Sequence, residues 1–146
     1  MKRFVPLFLG TVIFGGCSSQ APTNLGVHNG RLASCPPSPN CVSTQGEDPQ
    51  HRIEPLSYSG SSEQTMEKIL RMVKGSKRTR VITSESNYLH AEYRTGFFGF
   101  VDDVEFYLDD DSKTVHFRSA SRVGYSDLGV NRKRMEEFRK AYLSPP

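Results

Sequence analysis

Two neighbouring stretches in which apolar and polar residues strictly alternate constrain the fold more than any other feature of this chain. The first covers residues 103–108, DVEFYL, and the second covers residues 115–118, VHFR. A period of two places successive side chains on opposite faces of a β-strand, so each stretch predicts a strand with one apolar face. The short polar link DDDSK, residues 109–113, joins them, which indicates an antiparallel hairpin.

Parity and charge select one register for this hairpin. If residue 108 lies opposite residue 115, Glu105 faces Arg118 and Asp102 faces Ser121. The opposite charges of Glu105 and Arg118 make this register more stable than one shifted by two residues. Asp102 then lies on the apolar face, whereas Asp103 points to the other face, which is predicted to be solvated. Replacing Asp102 by alanine is therefore expected to cost roughly 2 to 4 kcal/mol, and replacing Asp103 under about 1 kcal/mol.

Two helices are predicted on either side of the strands in the sequence. The first is capped by Ser61 or Ser62 and ends at Gly75, because apolar residues recur with helical spacing at residues 66, 69, 70 and 73. The second has Asn131 as its cap and ends near Leu143. Two further strands are predicted at residues 80–84 and from residue 87. The fold class is therefore predicted as α+β, an antiparallel sheet of about four strands with two helices packed on its apolar face.

The first 16 residues have the pattern of a signal peptide. Lys2 and Arg3 precede an apolar run of 13 residues, which as a helix would reach about 20 Å, short of the roughly 30 Å of a bilayer core. The run ends in GGC, which resembles the lipobox of bacterial lipoproteins, so Cys17 is predicted to carry lipid; a plain secretory signal is the alternative. By that resemblance, Ser18 and Ser19 favour the outer membrane, facing the periplasm. We therefore expect a cell-envelope protein held at the membrane by an N-terminal lipid anchor.

The remainder of the chain divides into a linker and one domain. Residues 17–31 lack periodicity and are rich in small polar residues, which predicts a flexible tether, and residues 32–146 are predicted to form a single domain. Without residues 1–16 the chain has 17 Lys and Arg against 16 Asp and Glu. This balance lacks the concentrated positive charge of a nucleic-acid-binding protein, so no nucleic-acid partner is expected. The basic run at residues 132–134 is interpreted as a solvated helix face.

Cys35 and Cys41 are separated by five residues, three of which are proline. In an exported protein this pair predicts a disulfide that closes a short loop. Loop-closure entropy gives the bridge about 2 kcal/mol of stabilisation. Zinc is the alternative, but two thiols without a second pair of ligands do not provide the usual four-coordinate site. Neither a metal nor a cofactor is therefore predicted.

Polar residues interrupt the apolar pattern where the strands approach the loop before the last helix. The predicted cluster contains Asp102, Ser119, Ser121, Arg122, Tyr125, Asp127, Asn131 and Arg132. Such a cluster either holds the loop on the sheet by hydrogen bonds or binds a ligand, and the sequence leaves both interpretations open. A small anionic or carbohydrate ligand would suit Arg122 and the helix N-terminus. A serine–histidine–acid triad is not expected, because His90 and His116 fall by parity on the opposite face.

Residues 96–99, GFFG, place two aromatic rings between glycines in a turn that joins two strands. The functional interpretation is an exposed hydrophobic anchor, and the structural one is a lid over the end of the core. The lid is favoured, because aromatic residues in loops usually pack back onto the protein.

Three segments, PNCVS, FVDDVEF and RSASRVGYSDLGVNR, occur in this order and resemble the domain-of-unknown-function family 1499 over residues 35–143. The family pattern often has a tryptophan in the first helix, whereas this chain has none, so Met66 or a neighbour is expected to fill that space. The resemblance implies domain limits but no reaction, cofactor or ligand.

From the residues themselves, the expected function is that of a non-enzymatic envelope lipoprotein. Its domain would bind an unknown envelope ligand or protein at the loop end of the sheet. The alternative is an envelope hydrolase that uses the same polar cluster, which would require a base within reach of Ser119 or Ser121.

Overall fold

The computed structural model describes residues 20–96 and 98–145. The predicted signal peptide and Cys17 therefore lie outside the described residues. The elements in chain order are β1 Cys41–Ser43, β2 Leu56–Ser57, α1 Ser62–Gly75, β3 Thr79–Ser84, β4 Tyr88–Arg94, β5 Val101–Asp109, β6 Thr114–Ser121 and α2 Val130–Leu143. The predicted α+β class, with an antiparallel sheet and two helices, is confirmed. Within the described residues, no helix combines the length and the apolar character that a membrane crossing requires.

The strands form one sheet with the order β1-β6-β5-β4-β3, and β2 pairs with the part of β6 that β1 leaves open. The sheet therefore has six strands rather than about four. The two additional strands, β1 and β2, contain three and two residues, which are too few to display a period of two in the sequence. The predicted hairpin register is confirmed, because Glu105 pairs with Arg118 and Asp102 pairs with Ser121.

Apolar residues of both helices belong to the same core as one face of the sheet. This core includes Met66, Ile69, Val73, Phe106, Phe117, Met135, Phe138 and Tyr142. The ring centroids of Phe106 on β5 and Phe138 on α2 are 4.7 Å apart. The predicted cap of α1 is also confirmed, because the Ser61 side chain accepts a hydrogen bond from the backbone amide of Gln64.

The start of α2 differs from the prediction that Asn131 caps it. Gly129 is the cap residue, with φ of 81°, and the helix begins at Val130. The Asp127 carboxylate accepts hydrogen bonds from the amide of Gly129 at 3.0 Å and from that of Asn131 at 2.7 Å. Asp127 thus satisfies amides at the helix start, and the Asn131 side chain is free to point into the protein.

The second face of the sheet is buried as well, so the expectation that Asp103 is solvated is wrong. Asp103 is 1% exposed and Glu105 is 0% exposed. Residues that precede β1 lie against this face, since the amide of Gly26 donates to Glu105 Oε1 at 2.8 Å and Leu32 is buried. The alternation of residues assigns side chains to the two faces correctly. It cannot indicate that a segment around Gly26, 79 residues before Glu105 in the chain, covers one of these faces.

The predicted disulfide between Cys35 and Cys41 is confirmed. It joins the first residue of β1 to the segment before it. The neighbouring Asn40 donates through Nδ2 to the carbonyl oxygen of Gly124 at 2.7 Å. The cross-linked loop is therefore fixed beside the loop that leads into α2.

Candidate functional site

Five of the eight predicted cluster residues meet at the loop end of the sheet, and an additional arginine joins them. Asp102 Oδ1 accepts a hydrogen bond from Ser121 Oγ at 2.7 Å, and its Oδ2 accepts one from Arg134 Nη2 at 2.6 Å. Arg134 Nη1 donates to Ser119 Oγ at 3.1 Å and to Asn131 Oδ1 at 2.8 Å. Asp102 is 1% exposed, so Arg134 balances its charge inside the protein.

Asn131 connects the remaining members of the cluster. Its Nδ2 lies within hydrogen-bonding distance of three acceptors: Ser121 Oγ at 2.9 Å, Asp127 Oδ2 at 2.8 Å and the Asn40 carbonyl oxygen at 3.2 Å. Its Oδ1 accepts from Ser119 Oγ at 2.5 Å. The buried groups therefore satisfy one another, and they hold β5, β6, the segment before β1 and α2 together. This closed arrangement favours the structural interpretation for the buried part of the cluster.

The other three predicted residues lie outside this cluster. Tyr125 is 76% exposed on the loop before α2. Arg132 donates through Nη2 to the carbonyl oxygens of Gln50 and Arg52, at 2.8 and 3.0 Å, and thereby fixes the segment before β2. Arg122 directly follows Ser121 and has the opposite parity, so it reaches the second face of the sheet.

On that second face Arg122 forms a buried ion network. Its Nε and Nη2 donate to the two carboxylate oxygens of Asp103 at 2.8 and 2.7 Å, and Nη2 also donates to Glu92 Oε1 at 2.7 Å. His90 Nε2 lies 2.7 Å from Asp103 Oδ1, and Arg80 Nη2 donates to Glu92 Oε2 at 3.0 Å. Burial raises the pKa of Asp103 and of Glu92, but the hydrogen bonds and charges of their partners outweigh it, so both pKa values lie below their ordinary values.

Glu105 extends the charged region toward the hairpin turn. Its Oε1 accepts from Tyr88 Oη at 2.8 Å, and its Oε2 accepts from Arg118 Nη1 at 3.4 Å. Burial, and after it the charge of Glu105, raise the pKa of the Tyr88 phenol. The Arg118 Nε is buried and has no hydrogen-bond partner among residues 20–96 and 98–145. This face is thus held by charges whose partners lie in the sheet and in the segment that precedes β1.

A cleft of about 720 Å³ opens beside the first cluster, between the end of α1, the end of β4 and one side of α2. It is lined by Met72, Gly75, Ser76, Lys77, Arg78, Tyr93, Arg94, Thr95, Gly96, Val130, Lys133, Arg134, Glu137, Phe138 and Ala141. Small-molecule sites usually occupy roughly 300 to 1,000 Å³, so the cleft has a suitable size. The Arg134 guanidinium lies 4.8 Å from the centroid of the Tyr93 ring and connects the cleft to the buried cluster.

Positive charge dominates this cleft. Of the lining residues that the structure describes, five are Lys or Arg and one, Glu137, is acidic. Arg134 is paired with Asp102, but Lys77 and Lys133 are exposed and have no ion-pair partner in the part of the chain that the structure describes. An anion in the cleft could therefore pair with two lysines without breaking an existing ion pair.

The Asp102 carboxylate is poorly placed to act as the base of a nucleophilic serine. The Ser121 hydroxyl donates a hydrogen bond to Asp102 Oδ1, but Arg134 donates to the other carboxylate oxygen, and the carboxylate is buried away from solvent. A nucleophilic serine needs a base that can take its proton while a substrate approaches, and this carboxylate is enclosed. Among the described residues, no group of three or more His, Cys, Asp or Glu side chains is placed to hold a metal ion.

Arg134 and Asn40 are the residues that sequence reasoning misses. Arg134 lies three residues after Asn131 on α2 and hence on the same face of the helix, which is a signal present in the sequence. The run of three cations at residues 132–134 conceals it, because such a run reads as one solvated face. That interpretation is wrong for Arg134, whose side chain is 15% exposed. Asn40 precedes a strand of only three residues and carries no comparable signal.

Comparisons with known proteins identify the family of this chain. A family model described as a protein of unknown function, DUF1499, matches residues 31–142. Comparisons with curated proteins and with solved structures gave no match. The family match confirms the resemblance seen in the sequence segments, and it brings no activity with it.

Proposed function

The chain belongs to the DUF1499 family, whose description assigns no activity, and from the geometry of its own cleft we propose that it is a non-enzymatic binding domain of the cell envelope. Its ligand is a small anion with an apolar part, held between α1, β4 and α2. The observation that carries the proposal is a cleft of about 720 Å³ in which five basic residues face one acidic residue. Electrostatic complementarity of this kind selects anionic ligands and speeds their association.

Each part of the ligand has a counterpart in the cleft. Lys77 and Lys133 provide charge for the anionic group, while Tyr93 and Phe138 provide apolar surface for the remainder. Arg134 is oriented in advance by Asp102, because their hydrogen bond of 2.6 Å fixes the guanidinium before a ligand arrives. A side chain that is already ordered loses little conformational entropy on binding, so this arrangement supports a binding role.

A fluorescent anion and its uncharged analogue test the cleft directly. The full chain with Cys17→Ser is titrated with 8-anilinonaphthalene-1-sulfonate and, separately, with N-phenyl-1-naphthylamine, which lacks the sulfonate. We expect saturable binding with a preference for the sulfonate. The charge-reversal variants Lys77→Glu and Lys133→Glu should weaken binding of the sulfonate by roughly fivefold each, since each removes a favourable charge and adds a repulsive one.

Lys140→Glu is the matched control for this experiment. Lys140 is an exposed lysine on α2 that does not line the cleft, so its reversal changes net charge by the same amount. Binding should be unchanged in this variant. Equal weakening by Lys133→Glu and Lys140→Glu would show that the dye senses only overall charge, and equal affinity for the two dyes would refute anion recognition.

Export and lipid attachment at Cys17 belong to the same proposal. The charged start, the short apolar run and the GGC sequence support them, and so does the Cys35–Cys41 disulfide, because such bridges persist in oxidising compartments. Cys17→Ser should move the protein from the membrane fraction to the soluble fraction of the cell envelope. Membrane association that is identical in the wild type and in Cys17→Ser would disprove attachment at this residue.

A further inference from the structure

The loops at the cleft end of the sheet expose several large apolar side chains. The exposed residues are Phe98, Phe100, Val123, Tyr125, Leu128 and Val130, which together are called the loop surface. Five of them belong to the β4–β5 loop and the β6–α2 loop, and Val130 is the first residue of α2. The two loops are neighbours because the amide of Arg122 donates to the Val101 carbonyl oxygen at 3.1 Å. Large apolar groups gathered at one end of a domain indicate an interaction site.

Leu128 is the most exposed member of the loop surface, at 94%. Its φ of 54° lies in the left-handed region, where glycine and asparagine are common and leucine is rare. Neither packing nor backbone geometry calls for a leucine at this position. A leucine here therefore carries a conformational cost that no packing inside the fold offsets, which points to a contact outside it.

Phe98 also projects outward, at 73% exposure, and stacks on Phe100 with a centroid distance of 5.6 Å. The prediction of an aromatic lid over the core is therefore wrong for Phe98, and Phe97 lies outside the described residues. The exposed anchor, the other interpretation of this glycine-flanked turn, agrees with the geometry of Phe98.

Exposed basic residues lie at the same end of the molecule. Lys77 and Arg78 follow α1, Arg94 ends β4 and Lys133 is in the first turns of α2. The amide of Arg94 donates to the Arg78 carbonyl oxygen at 3.0 Å, so the end of β4 and the start of β3 lie side by side. Apolar side chains bordered by lysine and arginine match the boundary between lipid headgroups and acyl chains in an anionic membrane.

We propose that the loop surface docks on an anionic lipid bilayer, with Leu128 and Phe98 entering the headgroup boundary and the basic residues contacting lipid phosphates. One supporting step rests on the proposed lipid at Cys17. Gly26, which contacts the sheet through Glu105, is nine residues after Cys17, so the extended chain between them spans at most about 30 Å. The domain is thereby kept within reach of the bilayer, whereas the charge argument is independent of the anchor.

The absence of tryptophan from the chain makes a direct test simple. Three single-tryptophan variants are made in the full chain with Cys17→Ser: Phe98→Trp, Leu128→Trp and, as a control, Ile82→Trp. Ile82 is an exposed apolar residue on the edge strand β3, outside the loop surface. Vesicles of phosphatidylcholine, with and without phosphatidylglycerol, are added while emission and acrylamide quenching are recorded.

We expect blue-shifted emission and protection from acrylamide for the tryptophans at positions 98 and 128 with the anionic vesicles, and a much smaller change with the neutral ones. The tryptophan at position 82 should stay accessible in both. Unchanged emission at 98 and 128 would overturn the proposal, even if the chain sediments with vesicles through its N-terminal residues. Equal protection at all three positions would also overturn it, since the contact would then not be specific to the loop surface.

Leu128→Gly separates docking from folding. Glycine adopts a positive φ without strain, so this variant should unfold at the same urea concentration as the wild type or a higher one. Its partitioning onto anionic vesicles should nevertheless be roughly tenfold weaker, because one buried leucine side chain is lost from the interface. Since Leu128 does not line the cleft, dye binding should be unaffected, and a failure of docking is thereby distinguished from a failure of the proposed ligand site. Undiminished partitioning would refute the role of Leu128.

Discussion

Removal of the Asp103 carboxylate should destabilise the protein far more than removal of an exposed aspartate on the same hairpin. Asp103→Ala deprives buried Arg122 of two hydrogen bonds and His90 of one. Breaking a buried ion pair by deleting one partner usually costs about 3 to 5 kcal/mol, and the lower value applies because Arg122 keeps Glu92 at 2.7 Å. With a urea dependence of about 1.5 kcal/mol per molar, a loss of about 3 kcal/mol lowers the unfolding midpoint by about 2 M.

Urea unfolding followed by far-ultraviolet circular dichroism at neutral pH measures this loss. Asp111→Ala is the matched control, because Asp111 is exposed in the turn of the same hairpin and its midpoint should not move. Asp103→Asn preserves the shape of the side chain and should lie between the wild type and Asp103→Ala. If Asp103→Ala and Asp111→Ala unfold at the same urea concentration, the buried ion network contributes nothing and the reasoning fails.

The pH dependence provides a second measurement on the same carboxylate. The pKa of Asp103 in the folded protein lies below its ordinary value of 3.8, since Arg122 and His90 outweigh the effect of burial. A carboxylate with a depressed pKa contributes stability that is complete above the ordinary value and is lost as the pH falls through the folded value. The free energy of unfolding should therefore fall below about pH 4 in the wild type, and this slope should be smaller in Asp103→Asn.

Three further predictions concern other parts of the molecule. Asn131→Ala leaves the partners of a fully buried side chain unsatisfied and should lower the free energy of unfolding by at least about 2 kcal/mol. Lys133→Ala, on the exposed side of α2, should not shift the urea midpoint, and equal midpoints for the two variants would contradict the role of Asn131. Burial lowers the pKa of His116 below 6.5, so the unfolded chain binds the proton more readily and the free energy of unfolding should decrease as the pH falls below about 6.5. His116→Asn should remove this pH dependence, whereas His28→Asn, at an exposed position, should keep it. Cys35→Ser should lower stability by about 2 kcal/mol, and the mass of the non-reduced wild type should lack two thiol hydrogens; free thiols after native isolation would argue against the bridge.

The hairpin could be predicted from the sequence because its information is local. Glu105 and Arg118 lie on strands joined by a short turn, so parity and charge together determine their pairing, and the structure has the predicted register. The place of Asp102 on the core side with Ser121 follows from the same argument. The α+β class follows from the order of helices and strands along the chain, and the spacing of apolar residues is enough to recognise both helices and the four longer strands.

Partners that come from distant segments could not be predicted in this way. Gly26 meets Glu105 across 79 residues, and Asn40 meets Asn131 across 91. Nothing in the local pattern around Asp103 shows that its face is covered, so its burial differs from the expected solvation. The place of Arg122, in contrast, could have been predicted. Arg122 directly follows Ser121, so parity puts it on the opposite face from Asp102, and grouping it with Asp102 was wrong. The cleft is lined by residues of α1, β4 and α2 that are far apart in the sequence, so no local pattern indicates it.

The acidic residues of β5 join this strand to three segments that differ greatly in distance along the chain. Asp103 binds Arg122 across 19 residues, Asp102 binds Arg134 across 32, and Glu105 binds Gly26 across 79. The entropic cost of loop closure rises with chain separation, so we expect the hairpin contacts to form earlier in folding than the contact with Gly26. In amide hydrogen exchange, the segment before β1 would open with a smaller free energy than the sheet beneath it, and water would reach Glu105 and Tyr88 while β5, β6 and α2 remain folded.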